Sequence, residues 1–141
     1  MLFRSYLIGW EKNREDYLTF ALDRIQEANV IEKKEIRRTD FNANLFLKNS
    51  MGIMEGDGSA TIIELEIAAP IDRLIILEPF HPSQRIIRQT KKYAVIEIEV
   101  NINPELYRNI LSLGTSCKVN KPIHLKNALR DQIIKMLELY K

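Results

Sequence analysis

Three groups of side chains have the types and spacing to do chemistry. Arg4 and Arg24 punctuate two otherwise apolar runs near the N-terminus, and Tyr6 stands two positions beyond the first of them. Two guanidiniums beside a phenol form a planar, permanently charged donor set that suits an anionic or nucleotide-like ligand. The plainer reading keeps each arginine on a strand surface, paired with Glu27, Asp23 or solvent. A second group, Glu64, Glu66, Glu97 and Glu99, offers oxygen ligands of the kind that hold divalent cations, but lacks His, Asn or Asp companions at suitable spacing. In the third, Cys117 and His124 invite a nucleophile-and-base reading. A strand and the start of a helix separate them, which favours a buried structural thiol. There is no glycine-rich phosphate loop, G-x-S-x-G, H-E-x-x-H or paired Cys motif. The chemistry read here is therefore binding, not catalysis, with no cofactor and no metal.

These residues need elements to position them. Phe3–Trp10 and Tyr17–Ile25 are rich in β-branched and aromatic residues and read as an antiparallel hairpin around the polar connector Glu11–Asp16. Ala28–Ile36 supplies a short third strand. Asp40 is placed as the N-cap of a helix reaching about Lys48, with Phe41, Leu45 and Leu47 or Lys48 on its buried side. Asn49–Ser59 holds three of the five glycines and marks either a domain boundary or a flap carrying Met51, Ile53 and Met54.

Beyond that stretch the periodicities sharpen. Thr61–Ile67 alternates as a half-buried strand, and Pro70 opens a helix with Ile71, Leu74, Ile75 and Glu78 on adjacent turns. Gln84–Gln89 and Tyr93–Ile102 are strands. Asn103–Pro104 starts a helix that Gly114 ends, and Cys117–Asn120 is the next strand. A last helix from Pro122 or Ile123 carries an apolar stripe of Leu125, Leu129, Ile133, Met136, Leu137 and Tyr140. The order strand, helix, strand, strand, helix, strand is ferredoxin-like. On the sheet face away from the helices, the four glutamates take the places where RNA-binding modules of this topology carry aromatics, and they argue against a phosphate backbone there. His81-Pro82-Ser83-Gln84 reads as a stiffened turn.

Composition narrows the classes further. A chain of 141 residues, 45% of them hydrophobic, has enough apolar surface for a core without staples, whether in one domain or two. One cysteine excludes an internal disulfide and fits a reducing cytoplasm. No apolar run approaches a membrane span, and there is no signal peptide. Net charge is +2, with nine basic against ten acidic residues up to Ala60 and twelve against nine from Thr61. Only Lys33, Lys34, Arg37 and Arg38 cluster, diluted by Glu32 and Glu35, so nonspecific duplex binding is not expected.

The string Tyr6-Leu7-Ile8 followed by Thr19-Phe20-Ala21-Leu22-Asp23-Arg24-Ile25 resembles the core of a WYL domain, the sensing module of many bacterial transcription regulators, with Ser5 where the family's Trp would stand. His81-Pro82-Ser83-Gln84, Ile110-Leu111-Ser112-Leu113-Gly114 and the final Leu139-Tyr140 resemble the C-terminal extension that follows such domains. The resemblance implies an α+β chain: a partial Sm-like β-barrel unit over residues 1–56, then a ferredoxin-like βαββαβ extension with an additional C-terminal helix over residues 57–141. It implies ligand contacts from Arg24 and Tyr6, with Arg4 and Arg14 beside them, and adds His81, Ser83 and Arg85 from the extension. The ligand would be single-stranded DNA or a nucleotide, and duplex DNA would be contacted through a winged helix-turn-helix for which there is no room before Phe3. With too few strands to close a barrel, the unit is expected to dimerise through open edges. The rival reading is a protein-interaction or assembly module with no small ligand.

Overall fold

In the computed structural model, residues 5–30, 41–51 and 60–141 are described. The chain forms two compact units, Met1–Asn42 and Ala43–Lys141.

The first unit is a hairpin of β1 (Tyr6–Glu11) and β2 (Asp16–Ala21), paired from Tyr6 opposite Ala21 to Glu11 opposite Asp16. Glu11 shapes the turn. Its carboxylate accepts from the amides of Asn13 and Arg14, which substitutes for the missing Asn-Gly signal. The second strand is shorter than the sequence suggests. The Leu22 amide donates to the Ser5 carbonyl as a last rung, and Leu22–Arg24 then closes a 3₁₀ turn through the Ile25 amide and the Leu22 carbonyl. Arg24 therefore sits on a turn, not on a strand. Register puts Tyr6, Ile8, Trp10, Tyr17, Thr19 and Ala21 on one face, where the Trp10 and Tyr17 rings meet edge-on at 5.1 Å. Phe41 packs on Tyr17 at 4.4 Å. On the other face Gly9 leaves room for the Phe20 ring. Residues 28–30 form no strand; the rest of the expected third strand, with Asp40, lies outside the described residues.

The second unit begins with a single helical turn, α1 (Ala43–Leu47), with Leu45 exposed instead of buried. The elements β3 (Thr61–Ala68), α2 (Ile71–Leu77), β4 (Arg85–Gln89), β5 (Tyr93–Val100), α3 (Pro104–Ser112), β6 (Cys117–Lys121) and α4 (Ile123–Glu138) follow in the βαββαβα order expected. The sheet is antiparallel throughout, in the spatial order β4-β5-β3-β6. Ile63, Leu65 and Ile67 of β3 and Ile96, Ile98 and Val100 of β5 fill its inner face, because alternate side chains of a strand share a side. Ile75 from α2, Leu106 and Ile110 from α3, and Leu125 and Leu129 from α4 close over them, with Met51 in the same cluster. Each such side chain contributes about 1.5–3 kcal/mol of transfer free energy.

Local signals set the helix ends. Asn103 caps α3 by accepting from the Leu106 amide at 2.9 Å, Pro104 occupies the first turn, and Gly114 follows the helix at φ +54°. Pro70 takes the N-cap position of α2, one residue earlier than expected, and Leu74 faces outward.

Candidate ligand site

The sequence-predicted residues fall into two sets, one in each unit. In the hairpin, Tyr6 pairs with Ala21 at the open end, and Arg24 lies three residues past Ala21 in the turn that leaves that end. Tyr6 is half-buried and Arg24 exposed. A half-buried phenol and an exposed guanidinium thus belong to one end of the hairpin. Arg14 does not join them: it stands in the turn at the other end, five residue steps or about 17 Å away along β1. Arg4 lies outside the described residues. What the sequence reading passed over is the row Tyr6, Ile8, Trp10 with Tyr17 on the face that leads from that end. Its signal in the sequence is the alternation of Tyr6, Ile8 and Trp10 along β1.

In the second unit, His81, Ser83 and Arg85 stand close together but already have partners. His81 is 8% exposed, and its Nδ1 lies 2.8 Å from Ser83 Oγ and accepts from the Ser83 amide at 3.2 Å. Ser83 Oγ also accepts from the Glu99 amide at 2.9 Å and donates to the Glu99 carbonyl at 3.2 Å. Arg85 pairs with Glu97 across the strands, so Ser83 extends the β4–β5 ladder by one rung with a hydroxyl in place of backbone. Gln84 ties the same loop down through the Phe80 amide and the Ile75 carbonyl. Burial holds the His81 pKa below the usual imidazole range, opposed by a backbone hydrogen bond to Lys48 that favours the charged ring. The geometry of these residues is that of a cross-braced loop.

Three of the four glutamates of the outer face, Glu64, Glu66 and Glu97, are also paired. Glu64 and Glu97 stand opposite each other on β3 and β5, an arrangement that would repel if bare. Arg85 binds Glu97 at 3.0 Å, while Lys121 and Asn120 each reach Glu64 at 3.1 Å and Lys118 reaches Glu66 at 3.5 Å. The Lys121 and Asn120 bonds hold the Glu64 carboxyl below its usual pKa. Arg88 lies over the Tyr93 ring at 5.1 Å. The acidic repulsion expected of this face is therefore a correction: cations from the flanking strands interleave with the carboxylates and bring the face near neutrality. Among the described residues no group of His, Cys, Asp and Glu is placed to hold a metal ion. Cys117 is half-buried on β6, and the desolvation pushes its thiol up to about 12. No thiolate forms there near neutral pH. His124 is exposed on the first turn of α4.

A shallow groove runs between α3 and α4, lined by Pro104, Tyr107, Leu111 and Gln132 among others. None of the sequence-predicted residues borders it. No helix among the described residues is long and apolar enough to cross a membrane.

Comparison with known proteins adds four findings. A WYL domain model matches residues 3–30, a span that includes Tyr6, Arg14 and Arg24. The curated proteins give no match. Among solved structures, the chain is similar to proteasome accessory factor B/C (PafBC) of Arthrobacter aurescens, at 22% identity and a TM-score of 0.40, over 89% of this chain and 19% of that one. The chain therefore spans about a fifth of that protein's length. A WCX domain model matches residues 59–137, more than half of the sequence, so the chain belongs to the WCX-domain family and carries a WYL segment in front of that domain.

Proposed function

We propose that the chain is the effector-sensing and dimerising portion of a WYL-type bacterial transcription regulator, working in the cytoplasm and binding an anionic ligand without catalysis. Single-stranded DNA or a nucleotide fits the chemistry. Arg24 supplies the charge, Tyr6 and the aromatic row behind it supply π-faces on which bases stack at about 1–3 kcal/mol each, and no sequence-specific edge contact is needed. The observation that carries this reading is that Tyr6 and Arg24 share the open end of the hairpin within the WYL-matching span. Ligand binding would favour one arrangement of the protein and pass that preference to a DNA-binding domain.

Fluorescence titration of labelled oligonucleotides and nucleotides against the wild type and Arg24→Ala tests it. A charge-assisted contact is worth roughly 1.5–3 kcal/mol, so the variant should bind at least about tenfold more weakly. For a single strand, the slope of log affinity against log salt should fall by about 0.7. Equal affinity and slope would remove Arg24 from the site. The rival reading, a protein-interaction module, is favoured by the exposed second half of α4, where Ile133, Met136 and Leu137 face water. Its mark would be self-association that salt does not weaken.

A further inference from the structure

The sheet of the second unit ends on two strands of different character. At one edge, β6 buries Val119, commits Lys118 to Glu66 and Lys121 to Glu64, and runs directly into α4. At the other edge lies β4, the outermost strand of the order β4-β5-β3-β6, with all five residues exposed and Ile86 and Ile87 at 48% and 53%. Its ladder with β5 fixes which backbone groups it turns outward. The Thr90 amide donates to the Tyr93 carbonyl, and Ser83 Oγ takes the rung at Glu99, so Tyr93, Val95, Glu97 and Glu99 present their backbone to β4. Arg88 and Arg85 stand opposite two of these, and Gln89 and the bulged pair Ile86–Ile87 therefore carry the outward N–H and C=O groups.

The charge along that edge has one sign. From Pro79 to Ile96 the chain carries Arg85, Arg88, Lys91 and Lys92 and no carboxylate. Arg85 and Arg88 stand on the outer face, opposite Glu97 and Val95, and the Arg85 side chain stays 65% exposed despite its bond to Glu97. Ile86 stands on the inner face beside Ile96. A bulge and two arginines alone would keep an edge from pairing with its like. Two half-exposed isoleucines in the same strand work against that purpose and offer apolar contact to an added strand. We propose that the β4 edge receives an extended acidic segment of another protein as a fifth strand of the sheet. Main-chain bonds to Gln89 and the Ile86–Ile87 pair hold it, and alternation sets its pattern: carboxylates toward Arg85 and Arg88 on the outer face, apolar side chains toward Ile86 on the inner.

Charge selects this occupant over two others. A second copy of β4 would bring two more arginines and no carboxylate to the same short ribbon, and like charges facing each other across strands are destabilising. A phosphodiester backbone supplies acceptors for the cations but no donor for the outward carbonyls. A five-residue strand buries less than the roughly 1,200 Å² of a stable complex, so the contact is a transient one whose affinity falls as salt rises.

Amide NMR and hydrogen exchange on the isotope-labelled full chain test the edge without any nucleotide, so failure here is distinct from failure of the sensing role. The probe is a blocked hexapeptide alternating glutamate and valine. It should shift and protect the amides of Gln89 and the Ile86–Ile87 pair and leave those of β6 unmoved. It should bind about tenfold more weakly when its backbone amides are N-methylated or its glutamates are replaced by lysines. Arg88→Glu should reverse the order of the glutamate and lysine peptides. If that variant does not fold, the N-methylated peptide on the wild type still decides. No binding at millimolar peptide, or equal binding of the N-methylated peptide, would overturn the proposal. So would tighter binding of a single-stranded oligonucleotide at the same amides, or protection of those amides by self-association before peptide is added.

Discussion

Asn103 uses both ends of its buried amide. Oδ1 caps α3 at the Leu106 amide, and Nδ2 satisfies the Met51 carbonyl. Removing a cap costs about 0.5–2 kcal/mol, and leaving a buried carbonyl unpaired costs about 1–3. Asn103→Ala should therefore destabilise the second unit by about 3 kcal/mol in urea denaturation. Asn103→Ser, which still caps but does not reach Met51, should recover about 1 kcal/mol of that. An equal loss in both variants would show that the cap contributes nothing. The capping half of this role is legible in the sequence, because Asn-Pro ahead of an apolar period is a local signal. The bond to Met51 spans 52 positions, and no local pattern announces it. His81 divides the same way: its turn was readable from His-Pro-Ser-Gln, its burial against β5 was not.

At the scale of elements, α4 shows what periodicity sees and what it does not. The stripe Leu125, Leu129, Ile133, Met136, Leu137, Tyr140 is continuous in sequence, yet Leu125 and Leu129 are buried while Ile133 is 52% exposed. The helix runs past the end of the core it joins. Leu129→Ala should cost about 2–5 kcal/mol by the loss of packed volume, whereas Ile133→Ala should cost under about 1. Thermal denaturation of the two variants checks this, and similar losses would mean that the second half of α4 packs on something in solution. The outer face of the sheet teaches the same lesson. Strand alternation placed Glu64, Glu66, Glu97 and Glu99 together, but which cations sit beside them depends on the β4-β5-β3-β6 order and on the bulges in β4 and β6. Exposed pairs of this kind are worth under about 1 kcal/mol each, so their effect is on the charge of the face more than on stability.

For the whole molecule, the two units differ in what stabilises them. The hairpin is two-stranded, and such a pair is marginal in water unless packed further. The second unit has a four-stranded sheet with three helices contributing to one core. The single tryptophan, Trp10, reports on the first unit, and the four α-helices among the described residues belong to the second. In a urea titration the Trp10 fluorescence midpoint should therefore lie below that of the helical circular dichroism signal. Coincident midpoints would show the two units folding as one.

Read alone, the sequence determined the βαββαβα order, the inward residues of β3 and β5, and the ends of α3. Each of these follows from relations within a few residues: a period of two, a period of 3.6, a cap, a left-handed glycine. The tertiary structure decided the rest: which cation meets which carboxylate, where the core under α4 stops, how a hydroxyl from Ser83 completes a rung on β5, and that Arg24 leaves the second strand on a 3₁₀ turn. Those outcomes depend on strand order, register and length of contact between elements distant in sequence, and such quantities are set by packing, where local propensity has no say.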